Sequence, residues 1–289
     1  MTYGSSVTQY SITEIESMED AHRSIGKRIQ SFPVNTPDPM AIKPLGWLSV
    51  QARIDVDRLM FIWFVLSLPV QCIYKIVCIY RLLSIIHIGT YRSSKSPLVS
   101  MWETTMKYDL HGDVLNMITT AKTPLKCVWK RKVMNVVKSF EMRRFFVLSS
   151  LYPTLRPILR CFTVLKPFLW WEVARRFPRR LPQCKVIMKM ISGTYRIFNY
   201  GQPMSERVCL LCNLNVTEDV QHFLLLCPAY IDIRYNLFSE LYKLGVNNFC
   251  EFICFIFGGG SEYDPEMMLP LLDTIYEMHK RRDYLLKSL

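Results

Sequence analysis

The chain has 289 residues, half of them apolar, and a formal charge of +12 from 36 Lys and Arg against 24 Asp and Glu. That apolar content excludes a disordered tail and supplies core for one large domain or two smaller ones. The positive charge points to polyanionic partners.

The first predicted element is a helix. Ser11 and Glu14 have capping-box spacing, and Ile15, Met18, His22, Ile25 and Ile29 recur at steps of three and four. It should end before Pro33, and His22 on that stripe reads as a core histidine. Four prolines in FPVNTPDPMAIKP, residues 32–44, forbid a long helix and mark an extended connection.

A second helix is expected from about Ser49 to Leu68. It contains most of the apolar run Leu59 to Tyr74, which falls short of the roughly 20 residues a membrane span needs. Pro69 and Gln71 interrupt that run and Arg58 and Lys75 bracket it, so a buried helix ending near Pro69, followed by a second element, is the simpler reading. A third helix begins where Ser96 can cap and Pro97 can take the first position, with Leu98, Met101 and Trp102 facing inward.

The basic charge is concentrated. Residues 121–200 hold 18 Lys and Arg against Glu141 and Glu172, so the rest of the chain is net acidic. The clusters are Lys130, Arg131 and Lys132; Arg143 and Arg144; Arg175, Arg176, Arg179 and Arg180. Between them lie Phe145, Phe146, Phe162, Phe168, Trp170, Trp171 and Phe177. Cationic heads neutralise phosphates and aromatic faces stack on unpaired bases, so RNA or DNA is the expected partner. A solvated basic face over an ordinary aromatic core is the competing reading.

The ten cysteines are not read as disulfides, because the N-terminal residues lack a basic stretch followed by an apolar core. A reducing intracellular setting, nuclear or cytoplasmic, is expected. Cys72, Cys78, Cys127, Cys161, Cys184, Cys250 and Cys254 read as buried or free thiols. The other three belong to CLLCNLNVTEDVQHFLLLC, which places Cys209, Cys212, His222 and Cys227 at a spacing suited to one tetrahedral zinc ion. Two thiolates come from a tight turn. Thr217 can cap a short helix with Glu218 and Asp219 at its positive end, His222 one turn inside and Cys227 at its close before Pro228. Four protein ligands leave no open position, so the expected zinc is structural.

Beyond Pro228, Tyr230, Ile233, Leu237, Leu241 and Leu244 mark another helix, with Arg234 and Lys243 outside that row. Gly258, Gly259 and Gly260 read as a flexible break, with no Gly-Lys-Ser or Gly-Lys-Thr to make a phosphate loop. The tail from Glu266 to Leu289 reads as an amphipathic helix started or kinked at Pro270.

With these residues in view, RVCLLC...EDVQHFLLLCPAYIDIR, Arg207 to Arg234, resembles the zinc-binding region near the C-terminus of non-LTR retrotransposon reverse transcriptases. Weaker resemblance covers YGSS, GKRIQSFPVNTP, PLGWLSVQARI and RLMFIWFVL, which are similar to the segment after the polymerase palm. The resemblance implies a region that helps hold template RNA or target DNA during target-primed reverse transcription. The family's palm carries adjacent aspartates for catalytic magnesium. Here no two aspartates adjoin, and Asp55 and Asp57 stand in a different context. Polymerase activity is therefore not expected to carry over, and the chain looks like a truncated element that begins past the palm and lacks the upstream endonuclease.

The expected fold is mainly α. The segments are a helical region at 1–120, a basic helical segment at 121–200, a CCHC zinc module at 201–245 and a closing helical tail at 246–289. No nucleophile elbow, phosphate loop or paired-carboxylate metal site suggests an enzyme or a small-molecule substrate. A structural or protein-interaction fragment, or a membrane-associated protein, is the alternative to nucleic-acid binding.

Overall fold

The computed structural model describes residues 4–88, 96–153, 155, 165–195, 208–259 and 263–288. It is mainly α-helical, as expected. Among the described residues there is no strand, only the isolated antiparallel bridges Leu45–Pro167 and Val208–Thr217. The helices are α1 (Ile12–Ile29), α2 (Pro39–Ile42), α3 (Val50–Ser67), α4 (Ile73–Ile88), α5 (Pro97–Lys107), α6 (His111–Thr120), α7 (Lys126–Ser150), α8 (Leu169–Arg176), α9 (Leu181–Ile191), α10 (Ile231–Lys243), α11 (Phe249–Cys254) and α12 (Leu269–Lys287). Two compact units divide the chain: residues 1–23 with 48–144, and residues 24–47 with 145–289. This division differs from the four consecutive segments expected from the sequence, because each unit joins distant stretches.

In the first unit α3 packs against α4, α5 and α6. Ser49, in extended conformation, starts α3 by accepting the Ala52 N–H on its hydroxyl at 3.2 Å, which satisfies one of the orphan donors of the first turn. The helix stops at Ser67, before Pro69. Leu59, Ile62 and Leu66 are fully buried among Leu82 of α4, Met101 of α5, Val114 of α6 and Trp129, Val133 and Val137 of α7. Each such aliphatic side chain contributes roughly 1.5–3 kcal/mol on leaving water. The apolar run 59–74 is thus split between two helices, and among the described residues no helix is long and apolar enough to cross a membrane.

Several buried polar groups inside this unit are paired. The Trp129 indole N–H donates to the Leu59 carbonyl at 3.0 Å. Buried Asp55 accepts from Lys107 Nζ at 2.7 Å, the Tyr108 hydroxyl at 2.9 Å and Gln51 Nε2 at 2.7 Å. Burial, then the Asp55 charge, keeps the Tyr108 phenol protonated well above the ordinary tyrosine range.

The N-terminal capping box of α1 forms as expected: the Glu14 N–H donates to Ser11 Oγ at 3.2 Å and the Ser11 N–H to Glu14 Oε2 at 2.7 Å. Its inner face differs from the expected stripe. Ile25 and Ile29 are exposed, whereas Glu19, Gly26 and Gln30 are buried. Gly26 is buried because α2, in the same unit, lies against it. A Cβ at Gly26 would lie 2.1 Å from the Ala41 carbonyl oxygen, so only glycine permits this approach. Gln30 then donates to the carbonyls of Met40 at 3.2 Å and Ala41 at 2.7 Å.

The second unit is built on α8, α9, α10 and α12, with α9 and α10 both against α12. Trp170 is fully buried and donates to the Ile256 carbonyl at 2.7 Å, and Trp171 donates to Gln30 Oε1 at 3.2 Å. The Phe168 N–H donates to the Pro44 carbonyl at 2.9 Å, tying residues 24–47 into the unit. The expected glycine break is instead helical as far as Gly259, in a wide turn spanning Phe255–Gly259. Gly260 lies outside the described residues. The tail helix begins at Leu269 with Pro270 in its first turn, where a missing N–H costs nothing.

Candidate metal centre

The four candidate ligand residues lie in the second unit on two pieces of local structure. Residues 208–217 form a tight hairpin: Val208 and Thr217 make an antiparallel bridge, the Cys209 N–H donates to the Val216 carbonyl at 3.0 Å, and Asn215 takes the left-handed conformation with φ of 55° that closes it. A short wide helical turn follows at His222–Leu226. Asp219, not Thr217, caps it, accepting the His222 N–H on Oδ1 at 2.6 Å. Pro228 prevents the turn from continuing, and the extended Cys227 swings its sulfur back toward the hairpin.

Cys209, Cys212, His222 and Cys227 converge, with one donor atom from each lying within 4.8 Å of all the others. Cys209 Sγ is 3.8 Å from Cys227 Sγ, and Cys212 Sγ is 3.5 Å from His222 Nε2. A tetrahedral ion with metal–sulfur bonds of about 2.3 Å and a metal–nitrogen bond of about 2.0 Å would set these edges at about 3.8 and 3.5 Å. A disulfide would need sulfurs about 2.05 Å apart. The set therefore fits a four-coordinate metal ion, and three of its members are buried while Cys212 is half-buried.

Burial pushes the Cys209 thiol up to about 12, and burial also raises Cys227. Backbone N–H groups of Leu211 and Ala229 oppose this at the two sulfurs, favouring the thiolates that a metal requires. His222 is held below its ordinary value, by burial first, against the pull of Asp219 and Glu218. The neutral imidazole is the ligating form.

Two supporting arginines are not singled out by the sequence as part of the site. Arg234 stands outside the expected α10 row, yet it is buried, donating from Nε to the Leu224 carbonyl at 3.1 Å and from Nη2 to the Cys227 carbonyl. It satisfies the end of the wide turn and brings a positive charge beside a ligand set whose zinc complex would carry about one negative charge. Its spacing is the signal that could have found it: 230, 234, 237 and 241 share one face. Arg282 of α12 grips buried Glu218 through two bonds of 3.0 Å each, fastening the loop between hairpin and turn to the closing helix. Phe223, inside the wide turn, stacks on Tyr195 at 5.8 Å and meets Tyr230 edge-on at 5.1 Å.

Among the remaining cysteines, Cys78 and Cys184 are buried thiols, Cys72 and Cys254 are half-buried and Cys127 is exposed. The side chains of Cys161 and Cys250 lie outside the described residues.

The nine basic candidates divide between the units. Lys130, Arg131, Lys132, Arg143 and Arg144 lie on α7 within the first, and Arg175, Arg176, Arg179 and Arg180 at α8 and just after it in the second. All are exposed except the half-buried Arg180. Five already have carboxylate partners: Lys132 with Asp113 at 2.6 Å, Arg144 with Glu141 at 3.9 Å, Arg175 with Glu172 at 2.7 Å, Arg176 with Asp264 at 2.5 Å and Arg180 with Asp273 at 2.7 Å. Of the interleaved aromatics, Phe145, Phe168 and Trp170 are core and Phe146, Trp171 and Phe177 are half-buried; Phe162 lies outside the described residues. The aromatic component of the expected interface is thus largely structural.

Comparison with protein-family models, curated proteins and solved structures returns no match to this chain.

Proposed function

We propose that the chain is a zinc-stabilised nucleic-acid-binding module, related by descent to the C-terminal part of a non-LTR retrotransposon reverse transcriptase. The convergence of Cys209, Cys212, His222 and Cys227 at tetrahedral spacing carries this reading. Three thiolates and an imidazole select zinc among common cellular ions, since hard cations prefer oxygen ligands. The ion ties the hairpin to the wide turn and leaves no open coordination position, so the reading assigns it no catalysis. RNA or DNA is the proposed partner because the basic residues remain exposed, and Lys130, Arg131 and Arg179 have no ion pair among the described residues.

Titration of the zinc-loaded chain with single-stranded RNA and duplex DNA at two salt concentrations tests the proposal. Affinity should fall steeply with salt, and replacing Arg175, Arg176, Arg179 and Arg180 with Gln should flatten the slope by about 0.7–0.9 for each phosphate no longer neutralised. Association that is absent, or insensitive to salt, would sink it.

A structural or protein-interaction module is the second reading. It is favoured by the carboxylate partners of five candidate cations and by the exposed apolar face of α4, where Ile73, Ile76, Val77, Tyr80 and Leu83 reach solvent. It is the reading that stands if zinc is bound and no nucleic acid is.

A further inference from the structure

Among the described residues of the second unit, a pair of cavities with cationic linings differ in their charge balance. In the first, of about 500 Å³ beside α8, Arg175 and Arg176 are neutralised by Glu172, Asp264 and Glu266. In the second, of about 560 Å³ between α9 and α12, Lys189 and Lys287 line the walls with no ion pair among the described residues. Arg282 behind that wall is paired with Glu218, so among the described lining residues the two lysines face one carboxylate, Asp283.

The second cavity is also chemically divided. Pro33, Val186 and Leu286 give it an apolar side, and Thr194, Tyr195, His279 and Asp283 a polar one. The polar side is linked within itself. Tyr195 is 5% exposed, and its hydroxyl lies 2.8 Å from His279 Nδ1, while His279 Nε2 lies 3.5 Å from Asp283 Oδ2. That order is self-consistent with the proton on Nε2 facing the carboxylate and with Nδ1 accepting from the phenol. Burial, Arg282 and Lys189 hold His279 below its ordinary value although Asp283 pulls it up, so near neutral pH the ring adds no charge.

We propose that this cavity binds one nucleoside monophosphate unit. The phosphate sits against Lys189 and Lys287, the base lies along Pro33, Val186 and Leu286, and Asp283 accepts a hydrogen bond from a sugar hydroxyl or an exocyclic amine. The cavity volume falls within the range of small-ligand sites, as does the pattern of apolar walls with few convergent polar groups. The unit has two sources, a free nucleotide or the unpaired end of a strand. The first is independent of the nucleic-acid reading above and the second rests on it.

The test uses the full zinc-loaded chain and calorimetric titration with adenosine and cytidine monophosphates, the matching nucleosides and inorganic phosphate. Lys189→Gln with Lys287→Gln is the charge variant; both side chains reach the cavity from the surface, and zinc content and circular dichroism confirm folding. Saturable nucleotide binding, weakened about tenfold or more by that variant, is expected when charge-assisted hydrogen bonds to the phosphate are removed. Asp283→Asn should weaken the nucleotide but not inorganic phosphate. No saturable nucleotide binding by folded protein overturns the proposal, as does nucleoside binding as tight as nucleotide or phosphate binding as tight as nucleotide. A single strand with a 5′-phosphate that competes with the nucleotide identifies the strand end as the source, and failure to compete identifies the free nucleotide. Strands bound without any nucleotide binding overturn this site and leave the nucleic-acid reading intact. Nucleotide bound without any strand does the reverse.

Discussion

The two units of the molecule are held together by different means. The first has an apolar core spread over five helices, with indole and carboxylate groups satisfied inside it. The second also has a core, to which Phe223, Leu224 and Leu225 of the wide turn contribute, but the hairpin at residues 208–217 leaves Leu210, Leu214 and Val216 exposed. Hairpin and turn are fixed by Arg234 on two carbonyls and by the Glu218–Arg282 pair, and on the proposed zinc reading by an ion held among four convergent Cys and His side chains. A core spread over many side chains degrades gradually, whereas a cluster of polar and ionic devices fails when one member is removed.

The sharpest way to break this comparison is to remove the proposed zinc ion. Chelation, or Cys209→Ser with Cys212→Ser, should raise amide hydrogen exchange across residues 208–243 by orders of magnitude, because free energy on the order of 10 kcal/mol in such sites comes from the ion. Exchange in α3 should change little. Equal loss of protection in α3 would show that the units do not differ in this way.

Next in size is the ion pair. Arg282→Met leaves Glu218 buried without its cation and should cost about 3–5 kcal/mol in denaturant unfolding. Adding Glu218→Leu should recover much of that loss, since paired charges and a matched apolar pair can be nearly equivalent. A single variant within error of wild type would mean that the pair is not desolvated.

Gly26→Ala probes the close approach of α1 to α2. With the Ala41 oxygen 2.1 Å from the added Cβ, the backbones must separate, at a cost of about 1–3 kcal/mol, although alanine normally favours a helix. A stabilised variant would contradict the packing. The smallest effect belongs to Tyr230→Phe. The Tyr230 hydroxyl is buried and has no hydrogen-bond partner among the described residues, so its removal should be neutral or stabilising by up to about 1 kcal/mol. A clear loss of stability would reveal a partner for it.

Much of this is legible in the sequence because it depends on spacing along the chain. The capping box of α1, the break at Pro69, the Pro270 start of α12, the buried row of α10 and the ligand set all follow from local pattern. What is not legible depends on partners distant in sequence. Ile25 and Ile29 satisfy helical periodicity, but α2 approaches at Gly26 and so turns the buried face toward Gly26 and Gln30. Thr217 and Asp219 are equivalent as caps until the hairpin bridge takes Thr217. Arg234 and Arg282 look like solvent residues because charge is the usual mark of a surface, yet each sits in its helix's buried stripe. A charge in register with an apolar row is the available signal. The basic clusters suggest one face by their proximity in sequence, whereas they belong to two units and many are already paired.

The most direct measurement is the metal content of the purified chain beside that of the Cys209→Ser, Cys212→Ser variant, by mass spectrometry under non-denaturing conditions. The account predicts a single zinc ion in the wild-type chain and none in the variant, with the hydrogen-exchange protection of residues 208–243 lost in step. A wild-type chain that binds no zinc while keeping that protection would contradict it.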